Sequence, residues 1–300
     1  MDKELHEITE EERVLLHDCL LHMLIDIIAI CNKHNITYML GGGTALGAVR
    51  HKGFIPWDDD IDLVMPRADY NHFVEIMREE LGDNYEFTVP HSEQVEIAFL
   101  KIYKKGTVYE VPHDDAPYPY VWIDVFPLEY APNDVFVRYI KGITSDALHF
   151  LAASLFIART RNELTHKSYG RNWGRRIRYW LAILLGYLFF FVQPQDVYNL
   201  CDSFDRHDEN TAYVTIPTGR AHYLGECLPL GTVYPLGQAE FCGLKVNVYN
   251  DMDRYLRALY GDYMQIPPPE KREQHYLTFF SVEDNISWNT PKRTTEERSV

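Results

Sequence analysis

The chain has 300 residues, 46% of them apolar and 24% charged, an ordinary globular balance with room for a sizeable core or a core plus an accessory lobe. Its formal net charge of -15 argues against a general nucleic-acid binder, which carries a basic surplus, although a nucleotide whose phosphates are met by metal ions stays compatible. Five cysteines, odd in number and never in a CxxC pair, argue against a disulfide frame or a zinc ribbon and suit a reducing compartment.

The first residues, MDKELHEITEEER, are acidic and lack the basic-then-apolar layout of a signal peptide, so a cytoplasmic setting is expected. From Glu10 to Lys33 the spacing predicts a long helix with Asp18, His22 and Asp26 at intervals of four. A solvated polar stripe is the expectation there, with a metal group as its rival. ITYML reads as a short buried strand, and GGGTALGAVR as a glycine turn running into a helix that starts at Thr44. IDLVM reads as a second strand, starting near Asp60, and helical spacing follows from Ala68 to Leu81. Strand-like pieces come next at YEFTV, IAFLKIY, TVYEV and YVWIDVF.

Residues 133 to 206 read as mainly helical. Between Arg159 and Arg178 there are seven basic residues against one acid, Glu163, and then YWLAILLGYLFFFV runs for 14 residues without a charge. A membrane-spanning helix needs about 20 apolar residues, so two readings stay open for residues 171 to 192: a buried core helix, or a peripheral membrane contact with a basic flank facing anionic lipid. The last third mixes short strands, AYVTI and LKVNVY, with a helix in DMDRYLRALYGDY. The expected organisation is a single catalytic domain over 1–284, made of a core at about 10–132, a helical insertion at about 133–206 and a strand and helix part at about 207–284. A polar, flexible tail is expected over 285–300.

The stretch FIPWDDDIDLVM puts four aspartates into five positions. Asp58, Asp60 and Asp62 open like a calcium loop, but the sixth position is Leu63 instead of glycine and the twelfth is Asp69 instead of glutamate, so the calcium loop fails. A wet acidic turn is the plain alternative. Against it, strand alternation puts Asp60 and Asp62 on one face and Ile61 and Leu63 on the other, a geometry that suits a divalent cation. Asp59 then falls on the core side, and Asp58 is at most a supporting group. GGGTALG lacks the Gly-Lys-Ser/Thr of a Walker loop, and Leu46 stands where GxGxxG needs its third glycine. What remains is a strand, a glycine turn and a helix start whose N–H groups can hold a phosphate. Strand, glycine turn, helix and a strand bearing D-x-D form the opening of the nucleotidyltransferase fold, an α/β (α+β) mixed sheet flanked by helices. A third carboxylate is needed on a later strand, and VWIDVFPL supplies Asp124 between apolar neighbours.

The stretch YMLGGGTALGAVRHKGFIPWDDDIDLVMPRADY resembles the signature of the LicD family, relatives of fukutin, and so do WIDVFPL and YLRALYGDYMQIPPPEKREQH. The resemblance covers roughly Asn35 to His275. One departure is the absence of a proline just before the YGDY helix, where the chain reads VNVYNDMDRYL. The resemblance implies a LicD-type phosphotransferase that moves phosphocholine from CDP-choline, or ribitol phosphate from CDP-ribitol, onto a sugar hydroxyl of a glycan or lipid-linked glycan precursor, releasing CMP. Asp60 and Asp62 would then hold Mg²⁺, with Mn²⁺ as the alternative, across the donor diphosphate. Asp124 would complete the metal set and take the proton of the attacking hydroxyl. Gly42, Gly43 and Thr44 would cradle phosphate oxygens, with Arg50 and more weakly Lys101 as further phosphate contacts. His51 and Lys52 end the same helix as Arg50, and His275 lies inside the last motif. A choline headgroup would want an aromatic cage, and PYPYVW is the nearest set in sequence. Two rival functions share these residues: nucleotidyl transfer with pyrophosphate release, and an inactive scaffold of glycan assembly.

Overall fold

The computed structural model describes residues 6–91, 98–111, 118–160, 173–272, 276–283 and 286–290. After the short strand β1 (His6–Glu7), the apolar run forms α1 (Glu10–His34). Thr9 opens it by accepting the Glu12 N–H, while the Glu12 carboxylate accepts the Thr9 N–H, so two otherwise unpaired groups satisfy each other. Leu16, Leu20, Met23, Leu24 and Ile27 are buried along this helix. By length and composition α1 could cross a membrane, yet 56% of its apolar window is covered by the rest of the protein, as in a core helix.

The polar stripe of α1 does not meet water as expected. His22 and Asp26 are buried and Asp18 is half-buried. Asp26 accepts hydrogen bonds from Tyr85 Oη at 2.6 Å, from the Asn289 N–H at 3.1 Å, and from the Thr290 N–H and Oγ1 at 2.8 and 2.6 Å. Spacing locates a polar face on a helix but not what covers it, and here the chain's own end does. Residues 286–290, expected within a flexible tail, are therefore fastened to the core, and Trp288 packs on it as well.

The central sheet has the order β2 (Met39–Leu40), β3 (Asp62–Pro66), β7 (Trp122–Ala131), β5 (Leu100–Lys104) and β4 (Tyr85–Thr88). From the far end of β7 it extends to β8 (Tyr213–Thr215) and β9 (Leu228–Pro229). β3 and β7 are parallel, and their neighbours pair antiparallel, so the sheet is mixed as expected for an α/β protein. Small antiparallel pairs join β6 (Thr107–Glu110) to β13 (Phe279–Val282), β10 (Gly237–Phe241) to β11 (Leu244–Val248), and β1 to β12 (Tyr276–Leu277). α2 (Gly42–His51) follows β2, and α3 (Arg67–Leu81) follows β3, packing Tyr70, Phe73, Met77 and Leu81 inward. Two boundaries differ from expectation. The helix after the glycines starts at Gly42 instead of Thr44, and β3 starts at Asp62 instead of Asp60, with a turn at Pro56–Trp57 and irregular chain over 58–61 before it.

The helical middle is α4 (Val135–Thr160), α5 (Trp173–Leu188) and α6 (Pro194–Asp205). It has a small core of its own, Ala152, Leu155, Val197 and Cys201, and a polar tie to the sheet. Arg67 at the start of α3 donates to Glu129 of β7 and, at 2.8 Å, to Asp202 of α6. His91 and Arg206 also bond Asp202. Three short helices complete the chain: α7 (His222–Gly225), α8 (Leu230–Val233) and α9 (Met252–Tyr260). His275, Arg171 and residues 291–300 lie outside the described residues.

Candidate active site

The glycine turn, the aspartate run and the C-terminal helix meet at one cleft of about 340 Å³. Its floor is built by β3 and α2. Gly42 has φ +43°, a left-handed conformation that disfavours a side chain, and a Cβ there would lie 2.5 Å from Asp62 Oδ2. A Cβ on Gly43 would lie 2.8 Å from Asp58 Oδ2. Glycine at these positions lets two carboxylates come up against the first turn of a helix, where the helix dipole favours negative charge.

Asp58, Asp60 and Asp62 all line the cleft. Carboxylate oxygens of Asp58, Asp59 and Asp60 all lie within 4.8 Å of one another. Asp59 is nevertheless turned to the core, where Tyr109 Oη donates a short hydrogen bond to it, in line with its expected core-side position. His17 Nε2 donates to the Asp58 carbonyl at 2.7 Å and its ring stacks on Phe54, which braces the turn from behind. Burial pushes the Asp60 carboxyl well above its ordinary range, with Asp62, Asp58, Asp59 and Asp124 adding repulsion. Asp62 is pushed the same way by burial and by Asp124, Asp58 and Glu226.

Asp124 sits on β7 directly beside Asp62 in the parallel register, which only the tertiary fold could arrange. It is not among the residues lining the cleft; on its other side Lys101 of β5 is register-paired with it and approaches its carboxylate to 3.4 Å. Lys101 also lies over the Trp122 ring at 4.3 Å. None of the PYPYVW aromatics lines the cleft, and Trp122 already faces a cation; the aromatic side chains in the cleft are Trp57, Phe126, Tyr255, Tyr260 and Tyr263. Thr44 is buried, and its hydroxyl accepts the Asp62 N–H at 2.8 Å. The Gly42 N–H donates to Tyr255 Oη at 2.9 Å. Two of the three predicted phosphate-cradle residues therefore also serve to hold the floor together. Arg50 lines the cleft as a cation and donates to the Tyr263 carbonyl at 2.7 Å.

Several cleft residues were not singled out from sequence. Arg220, Lys271 and Arg272 join Arg50 as cations, and the Arg272 guanidinium lies 4.0 Å over Trp57. Glu226 is 3% exposed, and burial pushes its carboxyl up to about 7, against the Ala221 N–H hydrogen bond and Arg220. No local pattern marks Glu226, which precedes β9, far along the chain. Tyr255 and Tyr263 do lie in the YLRALYGDY stretch, where the motif could have pointed to them.

Fold and cleft together define an α/β protein whose mixed sheet presents clustered carboxylates to a glycine-opened helix. Residues 35–152 match the family model described as LicD/FKTN/FKRP, nucleotidyltransferase domain. The chain is 28% identical to the lipopolysaccharide cholinephosphotransferase LicD of Haemophilus influenzae over 267 residues, 83% of this chain and 90% of that one. Shorter matches are to uncharacterised proteins of Rickettsia typhi, 38% identical over 72 residues (24% of this chain, 22% of that one), and of Rickettsia prowazekii, 42% identical over 65 residues (21% and 24%). Arg220, Glu226 and the α9 to Arg272 wall fall outside the matched domain, so half of the cleft is supplied by later sequence.

Proposed function

We propose that this chain is a divalent-cation-dependent phosphotransferase that moves phosphocholine from CDP-choline to a sugar hydroxyl of a lipopolysaccharide or related glycan precursor, releasing CMP. The observation that carries the reading is a cleft lined by both kinds of charge: the carboxylates Asp58, Asp60 and Asp62, and the cations Arg50, Arg220, Lys271 and Arg272. The likeness to a lipopolysaccharide cholinephosphotransferase over most of the chain supports the choice of group and acceptor. The carboxylate group fits a cation such as Mg²⁺ or Mn²⁺: Asp60 and Asp62 are held close enough to repel each other, and Gly42 and Gly43 leave room beside Asp62 and Asp58. Asp60 and Asp62 would hold the ion, with Asp124 completing the set behind them and Asp58 in support. Such an ion would neutralise charge on the donor diphosphate as the phosphocholine passes to the sugar oxygen and CMP departs. The cationic wall orients the nucleotide phosphates, and Gly43 brings backbone close to them. Glu226, poised near neutrality inside the cleft, takes the proton of the sugar hydroxyl in place of Asp124, which Lys101 engages. A setting at the inner face of the cell membrane belongs to this reading, since the acceptor would be built on lipid.

The test is CMP release from CDP-choline with a glycan acceptor, alongside thermal melting with and without Mg²⁺. Wild-type protein should release CMP and melt higher with Mg²⁺; Asp60→Asn and Asp62→Asn should do neither while melting no lower without the ion, because they remove repulsion. Normal CMP release by those variants would sink the proposal. Pyrophosphate as the product from a nucleoside triphosphate would replace it with nucleotidyl transfer.

A further inference from the structure

The helix α5 is apolar on two opposite faces. Tyr179, Ala182, Ile183 and Gly186 form one, buried; Gly186 sits so tightly on α4 that a Cβ would lie 2.3 Å from the Ser154 carbonyl and 2.5 Å from Ala158. Ile177, Leu181, Leu184 and Leu188 recur at four, three and four residues along the other face, all of them exposed, with Leu184 at 66% and Leu188 at 67%. Trp180 and Tyr187 lie along one edge of that stripe, and Phe190 and Phe191 extend it past the helix end. A soluble helix normally keeps one apolar stripe for the core and a polar face for water, whereas the outer stripe of α5 is left exposed among the described residues.

The same holds for α4. Phe136 and Ile140 lie 18 residues, five helical turns, before Ser154 and Ala158, and so share the face that α5 covers nearer the C-terminus. Phe136 is 70% exposed, and Val135, Tyr139, Ile140 and Ile143 around it are exposed too. α4 is long and apolar enough to cross a membrane by length and composition, with only 28% of its window buried. It is not a bare spanning segment, however: Lys141 donates to the carbonyls of Asp205 and Arg206, and His149 bonds the Asp205 carboxylate, contacts that hold it to α6.

The charge pattern selects the occupant. Arg176 and Arg178 are exposed and flank the outer stripe of α5 on its two sides, in a run with seven basic residues against one acid within a chain of net charge -15. Apolar side chains facing outward, aromatic residues at the edge and cations beside them are the layout of a helix lying in the headgroup region of an anionic bilayer. We propose that the outer stripe of α5 and the N-terminal half of α4 form a docking surface for anionic membranes. Docking inserts Leu181, Leu184, Leu188 and Phe191 among the acyl chains, places Arg176 and Arg178 at lipid phosphates, and leaves the opposite faces packed on the protein. The inference stands on these two helices and is independent of the chemistry of the cleft.

The test is co-sedimentation of the full chain with vesicles of phosphatidylcholine alone and of phosphatidylcholine with phosphatidylglycerol. Binding should be strong only to the anionic vesicles and weaken with salt. Leu181→Glu with Leu184→Glu should reduce the partition coefficient by about tenfold or more, as expected when apolar insertion is replaced by charge. Arg176→Glu with Arg178→Glu should abolish the preference for anionic lipid. Both variants should melt at the wild-type temperature, since these side chains are exposed. Absence of vesicle binding, or binding unchanged in both variants, overturns the proposal. So does a concentration-dependent dimer that the leucine variant dissolves without any vesicle binding, which would make the face an interface between copies.

Discussion

Burial and crowding of like charge govern the cleft carboxylates one residue at a time. Glu226 illustrates the sign. Its folded-state carboxyl is pushed up to about 7 by burial, whereas the unfolded chain releases that proton in the ordinary carboxylate range. Between those limits the folded state binds more protons, so stability falls as pH rises through the window and levels off above about 7. Asp60 and Asp62, also pushed up, add to the same trend. In metal-free buffer, urea denaturation should therefore show stability decreasing from about pH 5 to about pH 8, and Glu226→Gln should remove part of that slope, on the order of 2–3 kcal/mol. The same variant should lower kcat by about a hundredfold or more with KM little changed if Glu226 takes the proton. Asp60 and Asp62 were singled out in the sequence by strand alternation, a local rule, although β3 takes in only Asp62 and Asp60 lies before its start. Glu226 was not, because its environment is assembled from residues far from it in the chain.

At the scale of elements, polar contacts decide how the helical middle meets the sheet. Arg67 is the hinge-pin of that junction: it bonds Glu129 on β7 and Asp202 on α6, both nearly inaccessible to water. Removing one partner of a buried ion pair leaves the others charged and unpaired, which costs about 3–5 kcal/mol. Arg67→Met should lower unfolding stability by that amount in urea titrations, and more than any exposed arginine substitution such as Arg257→Met, whose pair with Asp253 lies at the surface. That this middle region, residues 133 to 206, is mainly helical was readable from composition and spacing, but not its division into α4, α5 and α6. Their faces were less so: the stretch from Tyr179 to Val192 admits both core and surface readings in one dimension, and in the fold α5 proves to be apolar on both sides. Likewise the strip Asp18, His22 and Asp26 was correctly placed on one face of a helix, but the protein covers much of it.

At the scale of the whole molecule, the chain end closes the structure. Lys104 is buried and donates to the Ser287 and Asn84 carbonyls, with its ammonium 4.7 Å from the Trp288 ring centre. Burial lowers its pKa to about 8. Cutting the chain after residue 285 would strip partners from both Lys104 and Asp26, and leaving such groups unsatisfied costs about 1–3 kcal/mol each. A truncated protein ending there should melt several degrees lower, while one ending after 290 should melt like wild type; equal melting of both would contradict the anchoring role. By itself the sequence determined the long first helix, the glycine turn running into a helix, and the strands that carry Asp62 and Asp124, because these follow from periodicity and backbone sterics over a few residues. It also pointed to Asp124, since an aspartate within an apolar strand is costly without a purpose. Only the tertiary structure decided that Asp124 stands beside Asp62 with Lys101 behind it, that Tyr255 and Arg50 tie α2 to the segment around α9, 213 residues away in each case, and that Glu226 faces the aspartates. The physical reason is that charge, burial and hydrogen-bond supply at a site depend on which distant segments are packed together.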